Sequence, residues 1–337
     1  MTLVCSSNLG WLISHSDYTS TIHKNCQEFI DIKTGLFEIN APYVKKNSKR
    51  RECTDDIEDT EVNTVQNVYN MIFLEFKEHF KNETFKDNNQ NAVILSKYVY
   101  EKTSQCSLEN IKGMNNGPAV LNVINGSRFL FPENCRFYCK DVLEITENLY
   151  DEKFDLILLD PPWWNKYIRR KRKKTSHAYN MMYNSDLKEV QIENLLGENG
   201  LVAVWCTNSA QHITALKEDI FPKWGIRFTS KWYWLKVTQK GVPVCNFSNP
   251  PGKQPYEQII FGCHPNRKLA CPSNGKMILS VPSALHSHKP PLTELLKIYL
   301  PVQPKCLEIF ARYLLPNWTS YGNEVLKFQH ESLYEIG

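Results

Sequence analysis

Asp160-Pro161-Pro162-Trp163 is the stretch of this chain whose residue types and spacing could do chemistry. Two successive prolines donate no backbone N–H and fix φ, so the carbonyl of Pro161 can be held pointing into a pocket instead of into a strand ladder. The Asp160 carboxylate beside that carbonyl makes two acceptors, and Trp163 beside both makes a stacking plate. Such a trio suits an exocyclic amino group on a nucleobase, a poor nucleophile because its lone pair is delocalised into the ring. Two acceptors gripping its N–H bonds hold that nitrogen, and the indole orients the plane. A methyl sulfonium placed in line can then be attacked, with much of the acceleration coming from positioning. Read blandly, the same residues are a rigid turn after a strand, where carboxylates and prolines are common. The apolar run Phe154 to Leu159 before them and the aromatic after them favour a site, because open α/β sheets bind ligands at the carboxyl ends of strands.

Three residues beyond Trp163 begins a basic run in which Lys166, Arg169, Arg170, Lys171, Arg172, Lys173 and Lys174 fill seven of nine positions. Phosphate contacts there would position a strand without reading its sequence, and His177, Tyr179 and Tyr183 add rings that could stack on bases. A charged loop serving as a nuclear import signal explains the run equally well. Trp205, Asn208 and Glu257 are candidate walls of a substrate pocket, although a tryptophan in an apolar strand is just as readily core. Cys135 with Cys139, Cys263-His264 with Cys271, and His286 with His288 are the near clusters of metal-ligating types, and none reproduces a paired ligand spacing. No metal is expected.

The elements that must carry these residues read as an α/β protein. Of the 337 residues, 42% are hydrophobic and 23% charged, so there is material for a core and wholesale disorder is excluded. No apolar run is long enough for a membrane span, and Met1 to Asp17 has neither a basic n-region nor a small-residue cleavage site. Neither secretion nor membrane insertion is expected. Eleven cysteines without a Cys-x-x-Cys pair read as reduced thiols of cytosol or nucleus. The balance of 40 basic and 36 acidic residues says less about partners than the clusters do.

Residues 1–42 contain short apolar segments able to dock on a larger body, and 43–61 run from Lys45, Lys46, Lys49, Arg50 and Arg51 into Asp55, Asp56, Glu58, Asp59 and Glu61, a charged linker. Val62, Val65, Val68, Tyr69, Ile72, Phe73, Phe76 and Phe80 recur at three- and four-residue steps, which predicts an amphipathic helix. A second helix over Ala92 to Val99 would complete a small helical region, 62–115, ending near Gly113. Val120 to Ile124, Asn125-Gly126 and Arg128 to Phe131 predict a hairpin on a type I′ turn. The main domain is expected over 116–337, where, beyond the hairpin, strands at Phe137–Cys139, Phe154–Leu159, Leu201–Trp205, Arg227–Leu235, Gln258–Phe261, Met277–Val281 and Cys306–Phe310 alternate with helices near 186–196, 209–219 and 291–299. That alternation argues a mostly parallel central sheet flanked by helices.

At Asp160 to Trp163 the chain resembles the eukaryotic adenine-N6 methyltransferases that carry this Asp-Pro-Pro-Trp motif. The resemblance extends to Pro255-Tyr256-Glu257, to Leu285-His286-Ser287-His288-Lys289-Pro290-Pro291, to Leu307-Glu308-Ile309-Phe310-Ala311-Arg312, and to the run Pro316 through Gly322-Asn323-Glu324 to His330, with Gly10-Trp11-Leu12 near the start. It covers most of residues 118 to 330. It implies a Rossmann-like class I fold using S-adenosylmethionine, with motif order permuted because the catalytic motif precedes the cofactor strand Cys306 to Phe310. Where many such enzymes have a glycine-rich loop, this chain has Ala311.

By resemblance, Arg312, Asn323 and Glu324 line the ribose, Lys289 faces the methionine carboxylate, Asp160 lies near its amino group, Glu308 belongs to the cofactor strand, and backbone at Asp141-Val142 holds the cofactor's adenine. His288 joins the substrate side. Taken singly, Lys289 could be a surface lysine, Arg312 could pair with Glu308, and Gly322-Asn323 could be an ordinary turn. The implied substrate is RNA, in one branch an internal 2′-O-methyladenosine of U2 small nuclear RNA, with DNA adenine or a non-catalytic nucleic-acid scaffold as alternatives. A monomer in the nucleus, with a cytosolic fraction allowed, is the expected setting.

Overall fold

A computed structural model describes residues 2–43, 60–82, 89–106, 108–164, 181–250 and 252–337. The run Phe154–Leu159 forms a strand over its whole length, and the reason is visible in its packing. Leu156 and Leu158 face one hydrophobic cluster while Ile157 and Leu159 face another. A strand buried on both faces reads as a continuous apolar run, and each such side chain contributes about 1.5–3 kcal/mol by leaving water.

The strands, in chain order, are β1 (Leu3–Ser6), β2 (Gly10–Ile13), β3 (Ile30–Ile32), β4 (Lys112–Asn115), β5 (Val120–Ile124), β6 (Ser127–Phe131), β7 (Cys135–Tyr138), β8 (Phe154–Leu159), β9 (Leu196–Cys206), β10 (Arg227–Lys236), β11 (Tyr256–Cys263), β12 (Met277–Ser280), β13 (Cys306–Ile309), β14 (Trp318–Tyr321) and β15 (Tyr334–Ile336). Eleven of them form one sheet in the order β1-β2-β12-β10-β11-β9-β8-β13-β14-β7-β4. The run β9-β8-β13-β14-β7 is parallel throughout, and β11 is antiparallel to both β9 and β10. The sheet is therefore mostly parallel and flanked by helices, as the alternation of segments implies.

Chain direction makes a crevice in the middle of this sheet. From β8 the chain goes on to β9 on one side, whereas from β13 it goes on to β14 on the other. That is a topological switch point, where the ends of two neighbouring parallel strands leave room for a ligand. Asp160 follows β8 and Phe310 follows β13, so the permuted motif order still brings the two turns together.

The N-terminal strands β1 and β2 extend this sheet through β12. Helix α1 (His15–Thr21) follows them, and α2 (Thr60–Phe76) lays Val65, Ile72 and Phe76 against Tyr233 and Leu235 of β10 and Met277 and Leu279 of β12. Helix α3 (Gln90–Thr103) follows. The β5–β6 hairpin turns at Asn125 and Gly126 with φ of 50° and 81°, the positive values a type I′ turn requires.

Three expected elements differ. Gly113 lies in edge strand β4, paired antiparallel with β7, and does not end a helical unit. Leu196 to Cys206 is strand where a helix is expected to reach residue 196, because the helix Asn184–Lys188 stops early and Gly197 and Gly200 disfavour its continuation. The helix begun at Ala210 continues through a π turn to Lys223 instead of ending near 219. Of the linker, residues 44–59 lie outside the described residues, as do Lys166, Arg169, Arg170, Lys171, Arg172 and Tyr179.

Candidate active site

Asp160 leaves β8 with its N–H donated to the carbonyl of Ile309 at 3.2 Å, which locks it to the end of β13. The prolines then stop the ladder, and the chain folds back at once: Trp163 N–H donates to the Pro161 carbonyl at 2.8 Å. The Pro161 oxygen is thus bonded within its own turn and not in a strand ladder. One lone pair is engaged within the turn, and an incoming amino group would use the second. Met182 N–H donates to Pro162 at 2.9 Å, and the Trp163 indole N–H donates to the Trp205 carbonyl at 2.8 Å. Trp163 is 7% exposed and stands 5.0 Å, centroid to centroid, from the ring of His212. His212 in turn bridges Asn184 Oδ1 and the Trp164 carbonyl at 2.8 and 3.0 Å. Pinned at its nitrogen and backed by an imidazole, this indole is a fixed wall.

From Asp160 a row of ion pairs runs in both directions along the crevice. Its Oδ2 accepts from Arg312 Nη1 at 2.7 Å, and its Oδ1 lies 3.2 Å from Lys289 Nζ. Lys289 also meets Glu257 Oε2 at 2.9 Å, and the other Glu257 oxygen meets Lys236. On the far side Arg312 Nε donates to Glu324 Oε2 at 3.1 Å, and Glu324 meets Lys327. Lys236, Glu257, Lys289, Asp160, Arg312, Glu324 and Lys327 thus alternate in sign from β10 to the segment after β14. Asp160, Lys289 and Arg312 are buried at its centre. Buried charges persist when each has a partner, and here the middle three have two partners apiece.

The titration of these groups follows from the same row. Burial works against the Lys289 ammonium, yet Asp160 and Glu257 outweigh it and hold its pKa above the ordinary lysine value. Burial likewise opposes the Glu257 carboxylate, but Lys236 and Lys289 drive its pKa far below the usual range. Glu324 is held down by Lys327 and Arg312 against its own burial. Glu308 is the exception. Burial, with Asp160 nearby and Arg312 opposing, pushes its carboxyl up to about 8, and its Oε2 has no hydrogen-bond partner among the described residues.

The turn after β13 does without glycine by straining another residue. Phe310 has φ of 62°, a left-handed conformation rare for an aromatic. Gly322, after β14, has φ of 145°, and a Cβ there would stand 3.1 Å from Phe310 Cα and 3.3 Å from its N. Its N–H donates to the Tyr138 carbonyl at 3.1 Å, drawing the ends of β13, β14 and β7 together. Asp141 caps the turn after β7 by accepting from Leu143 N–H at 3.0 Å, beside buried Val142. Asn323 is exposed at the rim.

This cradle fits S-adenosylmethionine in two respects. The close glycine contact keeps the floor of the crevice clear of side chains. The wall offers cations for a carboxylate, a carboxylate for an ammonium, and Glu324 and Asn323 for hydroxyls.

Other sequence-selected residues sit nearby in different roles. Trp205 is buried, with Lys289 Nζ 5.6 Å from its ring centroid and its own Nε1 unpartnered among the described residues. Asn208 gives its amide N–H to Tyr256 O at 2.6 Å and accepts from Gln258 at 3.2 Å, so it braces β9 against β11. His288 is corrected from substrate contact to packing. It is 4% exposed, its ring lies 4.4 Å from His15, 4.7 Å from Phe328 and 5.6 Å from Tyr313, and burial pushes its pKa down to about 3. Arg312 pairs with Asp160 and Glu324. Lys236 and His212 join the site without a signal in the sequence that selects them, because they act through partners distant in sequence. Phe310 and Lys327 lie inside the runs that carry the resemblance but receive no role from it, and the missing glycine marks Phe310 as a position to inspect.

Comparison with known proteins agrees with this geometry. The family model described as MT-A70 matches residues 154–324, from the first residue of β8 to Glu324. The chain is 37% identical over 234 residues to the Homo sapiens N(6)-adenine-specific methyltransferase METTL4, covering 65% of this chain and 48% of that protein. It is 32% identical over 287 residues to a Caenorhabditis elegans DNA N6-methyl methyltransferase, with 76% of each covered. A third relative, the N6-methyladenosine RNA methyltransferase MTA1 of Cryphonectria parasitica, is 40% identical over 181 residues, 52% of this chain and 53% of that one. The chain spans about half the length of the human and mouse relatives.

Proposed function

The chain belongs to the MT-A70 family, and on that premise we propose that it transfers a methyl group from S-adenosylmethionine to the N6 nitrogen of adenine in RNA. The observation that carries the reading is the buried Asp160 carboxylate at the switch point, flanked by Lys289 and Arg312. When bound, the cofactor supplies an electrophilic methyl sulfonium. Each Asp160 oxygen already has one cationic partner and keeps a further lone-pair direction, so the carboxylate can accept an amino N–H while its own orientation stays fixed. The Pro161 carbonyl is the second acceptor. The proton that the amino group must lose on methylation would depart on the Asp160 side.

Lys289 serves the methionine carboxylate, Asp160 its ammonium, Arg312, Asn323 and Glu324 the ribose, and backbone at Asp141-Val142 the cofactor's adenine. Glu257 holds Lys289 in place from behind. Within RNA, the internal 2′-O-methyladenosine of U2 small nuclear RNA is the proposed target, which sets a nuclear location, and the chain acts as a monomer. DNA is the second reading, favoured by the DNA N6-methyl methyltransferase relative that covers 76% of each chain. Steady-state kcat/KM for single strands carrying adenosine, 2′-O-methyladenosine or deoxyadenosine decides between them. The highest value is expected on the 2′-O-methylated RNA; a highest value on DNA selects the second reading. Binding of all three without turnover would mark a scaffold.

A further inference from the structure

On the flank formed by α3, the β5–β6 hairpin and the chain's last residues lies an open cavity of about 840 Å³, outside the methyl-transfer crevice. Tyr98 of α3 is 42% exposed in its wall. Lys33 Nζ lies over that ring at 5.2 Å and Lys102 Nζ over it at 5.8 Å from its centroid, so a base that stacks there takes the place of an ammonium, and Lys102 is one helical turn beyond Tyr98 on the same face. Lys33 Nζ also donates to the Ser332 carbonyl at 2.9 Å, which aims it along the cavity wall. Arg128 also lines the cavity, paired with Glu331 at 2.7 Å. Neither Lys33 nor Lys102 has a carboxylate within ion-pair distance among the described residues. The cavity thus combines an accessible ring with two ammonium groups whose charge is not neutralised there.

We propose that this cavity is a second binding site for the substrate strand, where a base stacks on Tyr98 and flanking phosphates meet Lys33 and Lys102. The inference rests on the nucleic-acid reading of the crevice and adds where the strand goes beyond it. A ring flanked by cations is the combination that holds single strands without reading sequence, because every base has a π-face and every linkage a phosphate. The volume lies within the range of pockets that enclose small ligands.

The site is also mechanically tied to the crevice. Phe328 N–H donates to Arg312 O at 2.8 Å, and Gln329 bonds both Leu314 N and the Leu130 carbonyl of β6. Glu324 and Glu331 are seven residues apart in sequence, so at roughly 3.3–3.6 Å per residue their Cα atoms are at most about 25 Å apart. A strand rising 3.4 Å per nucleotide crosses that with about seven nucleotides.

The test uses the full chain and its Tyr98→Ala/Lys102→Glu variant, both changes being on the exposed face of α3. Binding of a fluorescent RNA of about 24 nucleotides should weaken roughly tenfold, and the slope of log affinity against log salt should become shallower by about 0.7, as removal of one lysine–phosphate pairing requires. Cofactor affinity and kcat/KM on a trinucleotide should stay within twofold, and the melting temperature should not change. Affinity for the long RNA within twofold of wild type overturns the proposal. So does adenosine monophosphate binding the cavity as tightly as the long strand, which would make it a free-nucleotide site. If neither protein methylates any strand but the variant still binds the long RNA more weakly, the second site stands and the catalytic reading falls. Lys102→Glu alone serves if the double variant shows no melting transition, with a smaller drop in affinity expected and an unchanged affinity overturning the proposal.

Discussion

The crevice at Asp160 and the cavity at Tyr98 are built from the same residue types, lysine, arginine, carboxylate and aromatic ring, and hold them in opposite ways. In the crevice the three central charges are buried and each touches two partners, and the ring of Trp163 is fixed by a hydrogen bond to Trp205 and contact with His212. At the cavity Lys102 and Tyr98 are exposed, and the lysine has no carboxylate partner among the described residues. Burial makes a missing partner expensive and orientation exact enough for chemistry, whereas exposure leaves charges screened by salt and adaptable to a moving strand. The difference separates a place that reacts from a place that holds.

Breaking the buried side should give the largest effects. Asp160→Asn keeps the shape of the side chain but removes the charge between Lys289 and Arg312. We expect turnover to fall about a thousandfold. Stability should fall by about 3 kcal/mol in urea denaturation, because two cations keep only their outer partners. A drop in turnover with no change in stability would show that the ion-pair row is not carrying the fold.

Gly322→Ala tests the floor of the crevice. The added Cβ would meet the Phe310 backbone at 3.1 Å from a backbone angle alanine avoids, so a loss of about 1–3 kcal/mol and about tenfold weaker cofactor binding are expected. Unchanged cofactor affinity would place the cofactor away from this turn.

Glu308 sharpens the comparison from the other direction, as a buried carboxyl whose Oε2 has no hydrogen-bond partner among the described residues. Because burial, with Asp160 nearby, pushes it up to about 8, the folded chain binds its proton more tightly than the unfolded chain, whose carboxyl titrates near about 4.3. Its contribution to stability therefore declines as pH rises from about 4 to about 8 and is fully lost above that. Glu308→Gln should leave the melting temperature unchanged near pH 4 and raise it by a few degrees at pH 8. A lower melting temperature at pH 8 would mean that the ionised carboxylate is stabilising, against this reading. The smallest expected change is the salt slope of the Lys102 variant at the exposed cavity.

What is legible in the sequence divides along the same line. Phe154–Leu159 and the Asn125-Gly126 hairpin are readable because their signals are local: apolar residues covered on both faces, and a dipeptide that tolerates positive φ. Asp160 is readable from its position after such a strand. Lys289, Arg312 and Glu324 look like surface or turn residues one at a time and come into view through family resemblance, because their meaning lies in pairing across the fold. Lys236 and His212 carry no local signal at all. Gly113 and Leu196 defeat a reading by periodicity, since a short edge strand and a strand that starts beside glycines both lack a clear period. Phe310 shows the limit most plainly: the fold takes a left-handed turn there at an aromatic residue, which only the missing glycine marks.

The most direct test is a single-turnover reaction of excess protein with methyl-labelled S-adenosylmethionine and adenine-containing RNA and DNA strands, the products digested and read as nucleosides by mass spectrometry. The account predicts label at N6 of adenine with the wild-type chain and almost none with Asp160→Asn at equal cofactor occupancy. Label at another atom, or undiminished N6 label in the variant, would contradict it.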